Sequence, residues 1–235
     1  MSQTPQAGWA ETAEAQIIEA AIPLAEALGW SPALVARAAQ AAGLSVDDAA
    51  LLLPGGPRDL AALLSRRHDE MALKSLDAVD PKTLKVRMRI RQGVLARVKA
   101  AATDMGAVKR AAAFTALPPN LALGARLLWE SADRIWRWAG DTATDENHYS
   151  KRAILSGVLA STLGVRITRG EAAAEAHLDR AIDQVMAFEK WKAKLPSPLE
   201  AARGIAGRLA ALRYGARAAE TPPARISGPE AGSAG

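Results

Sequence analysis

Alanine recurs through almost every stretch of this chain, in runs such as AAQAAG (38–43), KAAAT (99–103) and EAAAEA (171–176). No residue has a higher intrinsic helix propensity, and none loses less side-chain entropy in a helix. Aromatic residues make up only 4% of the chain and β-branched runs are scarce. These features predict an all-helical protein whose helices approach closely because their side chains are small. With 235 residues the chain is long enough to bury a core, as one large domain or two small ones.

Cysteine is absent. That excludes a disulfide framework, thiolate catalysis and Cys-ligated metals, and it fits a cytosolic compartment. No apolar run approaches the ~18 residues needed to span a bilayer. The opening MSQTPQAGWAETAEAQ has no basic segment and no Arg-rich amphipathic character. It reads as neither a secretory signal nor a mitochondrial presequence, so the expected location is the bacterial cytoplasm.

Apolar spacing and punctuation divide the chain. Ile17, Ile18, Ala21, Leu24 and Leu28 recur at helical spacing and predict a helix over 9–28, closed by Gly29. Ser31-Pro32 starts the next, which runs to Ala42. After the Gly43 turn, Ser45–Asp48 reads as a capping box opening a short helix over 46–53, and a longer helix follows Pro57. The stretch LKVRMRIR (84–91) alternates like a strand, but Ile90, Val94, Val98 and Ala101 are spaced like a helix. With no other strand to pair with, it is read as helix. Further helices are expected at 104–115, 120–139, 146–168, 171–193 and 198–218, with Asn120 capping the second of these. Ala153, Gly157 and Ser161 lie four apart, a spacing that lets two helix backbones approach closely, within the chain or, as the alternative, across a dimer seam. The Pro-, Gly-, Ala- and Ser-rich tail 219–235 reads as disordered.

The candidate chemistry is thin. His68, His148 and His177 are scattered, no Ser sits in a nucleophile elbow, and there is no glycine-rich phosphate loop. Asp145 and His148 stand three apart, which is half of a di-iron carboxylate motif without a second half. No enzyme, cofactor or metal is expected. The order helix, Gly turn, short helix, long helix resembles a TetR-type N-terminal part, so a ligand-responsive DNA-binding regulator is the rival reading. However, residues 1–60 carry seven acids against Arg37 and Arg58 although the whole chain is net +5. The short helix in the recognition position carries Asp47 and Asp48 and no basic residue, so it lacks the cations that hold phosphates. No nucleic-acid partner is expected.

Two stretches point elsewhere. In 197–218, Ile205, Leu209, Leu212 and Ala216 form one stripe flanked by Arg203, Arg208, Arg213 and Arg217. An apolar stripe edged by arginine suits an interfacial helix on an anionic membrane, with Ile205, Arg208, Leu209, Leu212 and Arg213 as the contacting residues. In 135–152, IWRWAGDTATDENHYSKR gathers Trp136, Trp138, Tyr149 and His148 among acids and bases. Gly140 reads as a C-cap and Thr142–Asp145 as the next helix start. His148 and Tyr149, beside Lys151 and Arg152, read as a partner surface.

The ordered residues LPPN (117–120), LG (123–124), LL (127–128), D-x-IW (133–136), AGD-x-x-TD-x-N (139–147), Y (149) and KRA (151–153) resemble the lipid-binding accessory protein family of ubiquinone biosynthesis, the ninth of the Coq series. The resemblance is weaker over about 10–192. It implies a TetR-regulator-like all-α bundle with a helix-turn-helix-like part at 9–57, a lipid-binding bundle at 58–193 and a membrane-contacting helix at 197–218. It further implies a non-enzymatic protein, peripheral on the inner face of the cytoplasmic membrane and dimeric. Such a protein binds isoprenoid quinone intermediates and presents them to the di-iron demethoxyubiquinone hydroxylase. Asp141, Thr144, Asp145, Asn147, Tyr149 and Arg152 match the family's partner patch. His148 stands in that patch where many members have Trp, Ala143 where Ser is usual and Glu146 where an aromatic is usual. Apolar phase alone proposes Leu127, Leu128, Trp136, Ile154, Val158 and Leu178 for the lipid pocket.

Overall fold

The computed structural model describes the backbone of residues 5–142 and 146–192, and the side chains of 8–142 and 148–187. The predicted membrane-contacting residues Ile205, Arg208, Leu209, Leu212 and Arg213, the tail, Thr144 and Asp145 lie outside the described residues, as does the side chain of Asn147.

Among the described residues the protein is all-helical, as the alanine content predicts. The order is α1 (Pro5–Leu28), α2 (Pro32–Ala41), α3 (Val46–Leu52), α4 (Pro57–Ser75), α5 (Val86–Thr103), α6 (Met105–Thr115), α7 (Leu121–Trp138), α8 (Glu146–Arg169) and α9 (Glu171–Lys192). Short 3-10 turns at Pro81–Thr83 and Pro118–Asn120 lead into α5 and α7. The chain divides into one unit of Met1–Val185 and another of Met186–Gly235. The first unit holds α1–α8 and α9 as far as Val185.

Local sequence sets the boundaries. Ser31 Oγ accepts the Leu34 amide and Pro32 opens α2. Gly43 takes φ +72°, a left-handed conformation that favours glycine, and turns α2 into α3. Ser45 Oγ accepts the Asp48 amide at 3.0 Å while the Asp48 carboxylate accepts the Ser45 amide at 3.3 Å, which completes the expected box. The alternating LKVRMRIR stretch enters α5, where Ile90, Val94, Val98 and Ala101 are all buried. Helical phase outweighs the local alternation because among the described residues no second strand offers backbone partners.

Two apolar clusters form the core. The first joins Ile17, Ala21, Leu34, Leu60 and Leu64 to Val108, Leu123 and Leu127, with α1 packed on α6 and α4 on α7. The second joins Ile90, Val94 and Val98 of α5 to Ile135 of α7, Leu155, Val158 and Leu159 of α8, and Leu178 and Ile182 of α9. Small residues set the approach of α5 to α7, since a methyl at Gly93 would stand 2.5 Å from Ile135 Cγ2.

Two expectations need correcting. Asn120 makes no side-chain cap on α7. Its amide donates to the Phe114 carbonyl at 3.1 Å and its Oδ1 accepts from Arg58 Nη1 at 3.1 Å, pinning the α6–α7 turn to the start of α4. Ala153, Gly157 and Ser161 do not pack inward. They are exposed, and a Cβ on Gly157 would meet nothing within 4 Å. The buried face of α8 is Arg152, Leu155, Val158, Leu159 and Thr162.

Candidate functional site

α4, α5, α6, α7 and α8 line an open cavity of about 460 Å³. Alanine is the commonest residue in its walls, at Ala61, Ala101, Ala111, Ala112, Ala116, Ala125 and Ala160, beside larger apolar residues such as Leu64, Val108, Leu127, Leu128, Leu163 and Ile167. Alanines recurring on the facing sides of several helices leave the space that larger side chains would fill. Volumes of ~300–1,000 Å³ with apolar walls and few polar groups characterise small-molecule sites.

The cavity has a direction. Leu121, at the start of α7, lines it and is 56% exposed, whereas Ser131 on the same helix lines it and is 1% exposed. At ~1.5 Å per residue these positions lie about 15 Å apart along the axis. The opening therefore runs along the exposed Leu121 and Ala125 of α7 and Ala160 and Gly164 of α8, and the floor is near Ser131.

That floor is polar. Ser65 and His68 of α4, Arg97 of α5 and Ser131 of α7 all line it. Asp69, 4% exposed, holds the group together. It accepts Arg97 Nε at 2.5 Å and Ser131 Oγ at 2.7 Å. Arg97 Nη2 also donates to Ser65 Oγ at 3.2 Å. His68 is 2% exposed, and its Nε2 lies 2.8 Å from Asp104 Oδ2, which also takes Arg67 Nε at 3.4 Å. Burial is the main force lowering the His68 pKa from 6.5 to about 4, with the Arg97 charge next; the Asp104 hydrogen bond opposes them. The ring is thus neutral at pH 7 and donates through Nε2.

The pocket residues expected from phase separate into two places. Leu127 and Leu128 line the cavity. Val158 and Leu178 belong to the second core cluster, Trp136 packs half-buried against it, and Ile154, also half-buried, lies outside the cavity lining. Trp136 stands five residues past Ser131, where its Nε1 donates to the Lys151 carbonyl at 3.1 Å and Lys151 Nζ lies 5.4 Å from its ring centroid. His68, Arg97, Ser65 and the wall alanines were not singled out in the sequence.

The α7–α8 corner carries the expected partner patch. α7 closes in a Schellman motif: Gly140 N bonds to the Arg137 carbonyl and Asp141 N to the Trp136 carbonyl, both at 3.0 Å, with Gly140 at φ +85°. Asp141 then accepts from Lys151 Nζ at 2.7 Å and from Arg152 Nη1 at 3.2 Å. Its pKa falls below the usual carboxylate value because these bonds outweigh the upward push of burial. Arg152, expected on the surface, is 2% exposed. It donates to Asp133 Oδ1 at 2.6 Å and to the His148 carbonyl at 3.2 Å, locking α8 to α7. Tyr149 is on the surface, 64% exposed. Its ring centroid lies 6.2 Å from that of Trp129 and 5.2 Å from that of His148. Of the patch residues with described side chains, Tyr149 and the half-buried His148 form an aromatic surface, while Asp141 and Arg152 support it from below.

Elsewhere, α3 exposes Val46 (84%) and Leu51 (75%) along with Asp47. Among the described residues no helix is long and apolar enough to cross a membrane, and no cluster of His, Asp and Glu could hold a metal ion.

Comparison with known proteins bears on α7, α8 and most of α9. Residues 121–189 match the COQ9 family model. The chain is 29% identical over 160 residues to the cattle (Bos taurus) ubiquinone biosynthesis protein COQ9, mitochondrial, covering 65% of this chain and 50% of that protein. It is 28% identical to the rat (Rattus norvegicus) protein of that name, over 65% of this chain and 51% of the relative. For the human one the figures are 26%, 65% and 50%. The chain therefore spans about half the length of the curated relatives it matches.

Proposed function

Because the chain carries a COQ9-family domain over residues 121–189, we propose that it is a non-enzymatic accessory protein of ubiquinone biosynthesis that holds an isoprenoid quinone intermediate in the alanine-walled cavity. The observation that carries this reading is the cavity itself, about 460 Å³ and mostly apolar, open beside Leu121 and lined by α4–α8, of which α7 and α8 lie in the family match. A prenyl chain exposed to water costs ~0.8 kcal/mol per CH₂, so a carrier needs such a shelter. The relatives' names supply the pathway.

Mass spectrometry of lipid extracted from the purified protein tests the proposal: prenylated species are expected, and extracts without them would refute it. Gly164 and Ala112 line the cavity, and Gly164 has open space where a Cβ would stand. Gly164→Phe and Ala112→Phe, made separately, are expected to cut the co-purifying lipid at least tenfold. Gly164→Phe should do so without a lower Tm, since glycine inside a helix costs ~1 kcal/mol relative to Ala.

The same reading includes delivery of the lipid to a di-iron demethoxyubiquinone hydroxylase, with Tyr149 and His148 as the contact, a homodimer, and attachment to the inner face of the bacterial cytoplasmic membrane through residues 197–218. Exposed aromatics make good interface anchors. Tyr149→Ala is therefore expected to weaken hydroxylase binding about tenfold in a pull-down titration while leaving lipid content unchanged. Removing residues 198–235 is expected to abolish flotation with phosphatidylglycerol liposomes; unchanged flotation would remove the membrane role from that segment. DNA binding finds no support in the exposed Val46, Asp47 and Leu51 of α3. A gel shift at low salt decides it, because non-specific binding would appear there.

A further inference from the structure

An apolar cavity that only sheltered hydrocarbon would have no use for an arginine and a histidine on its floor. Arg97 shows 9% of its side chain to solvent and is engaged at Nε and Nη2. Among the described residues its Nη1 has no hydrogen-bond partner, and neither does His68 Nδ1. Neither atom is buried without a partner; both are open to the cavity, where water or a bound molecule completes their hydrogen bonding. Both residues line the same cavity, on neighbouring helices, at the end remote from Leu121.

The two free groups have opposite character. Arg97 Nη1 can only donate. His68 Nε2 donates to Asp104, which leaves Nδ1 with a lone pair and no proton. The formal charges are already matched: Asp69 pairs with Arg97, and Asp104 with Arg67. Arg134, with its side chain 38% exposed, adds only a distant contact to Asp69 at 3.8 Å. The floor thus offers one donor and one acceptor without an uncompensated charge.

We propose that Arg97 and His68 form a head-group subsite that seats a neutral, hydroxyl-bearing ring at the inner end of the cavity, with the hydrocarbon tail running out past Leu121. Arg97 Nη1 donates to an oxygen of the head group, and a hydroxyl of the head group donates to His68 Nδ1. A carboxylate would bring an unmatched charge and a second acceptor facing the Nδ1 lone pair. A bare hydrocarbon would leave both groups unsatisfied. The subsite thus selects phenol-like heads over acids and over plain isoprenoids. This inference rests on the reading of the cavity as the lipid site.

Three probes of one shape separate the possibilities: 4-prenylphenol, prenylbenzene and 4-prenylbenzoate, titrated into delipidated full-length protein at pH 7.5 by calorimetry. The phenol is expected to bind at least tenfold more tightly than either of the others. In Arg97→Lys, which keeps a cation for Asp69 but loses the planar fork, the phenol-to-benzene ratio is expected to fall towards one. If that variant does not fold, the wild-type ratio decides alone. Equal wild-type affinity for phenol and hydrocarbon overturns the subsite and leaves the cavity as an unselective lipid site. Tighter binding of the benzoate overturns the neutral-head assignment. No binding of any probe overturns both the subsite and the lipid site.

Discussion

Asp69→Ala is expected to destabilise the folded protein by about 3–5 kcal/mol, read from urea denaturation at pH 7. Asp69 is the anionic centre of three helices, with Arg97 Nε at 2.5 Å, Ser131 Oγ at 2.7 Å and Arg134 Nε at 3.8 Å. Truncation leaves the Arg97 cation in a site that is 7% exposed, with Ser65 its one remaining partner. The cost is that of stranding a buried charge, which exceeds the net worth of the pair. A double variant, Asp69→Leu with Arg97→Met, removes both charges at similar volume and is expected to lose much less than Asp69→Ala alone. If the double variant were the worse of the two, the loss would come from packing and not from the stranded cation.

The helices were legible because their punctuation is local. Ser31-Pro32, Ser45–Asp48, Gly43 and Gly140 act through hydrogen bonds and dihedral angles within a few residues, so their meaning survives without tertiary context. α5 needed one non-local fact, the lack of a partner strand, and that too could be read from the chain. The cavity was not legible in the same way. Apolar phase shows which face of a helix turns inward, but not whether the space it faces is filled. Val158 and Leu178 turn inward as their phase requires, yet they meet Ile90, Val94 and Ile135 across a packed core. Ala101, Ala112 and Ala160 line a hollow, and in the sequence they are indistinguishable from alanines that merely favour helix.

One available signal was a charge standing in an apolar stripe. Arg97 shares its face of α5 with Ile90, Val94, Val98 and Ala101, and His68 continues Ala61, Leu64 and Ala72 on α4. Arg152 likewise falls in phase with Leu155 and Leu159, and it is buried with them. An arginine placed so must bring its own carboxylates inside, as Asp133, Asp141 and Asp69 do here. By contrast the small-residue spacing of Ala153, Gly157 and Ser161 carried less meaning, because four-residue spacing marks one face of a helix without saying that the face is covered.

Stability is expected to fall as the pH drops from about 6.5 towards 4, and His68 should account for about 3 kcal/mol of that loss. The sign follows from the direction of its shift. In the folded protein the His68 pKa is lowered to about 4 from 6.5, chiefly by burial and then by Arg97. In the interval between these values the unfolded chain takes up a proton that the folded chain refuses, so acid pulls the equilibrium towards the unfolded state. Above about 6.5 both states are neutral at this ring and the penalty vanishes; below about 4 it has reached its full size. Other groups titrate over the same range, so the measurement is a difference. Unfolding free energies at pH 7 and pH 4 are compared for wild type and for His68→Gln, whose amide retains a donor for Asp104 and an acceptor for the cavity but has no proton to gain. The variant is expected to lose about 3 kcal/mol less than wild type on acidification. An equal loss would mean that the ring accepts a proton in place, which requires either water reaching the cavity floor at acid pH or Arg97 moving away from it.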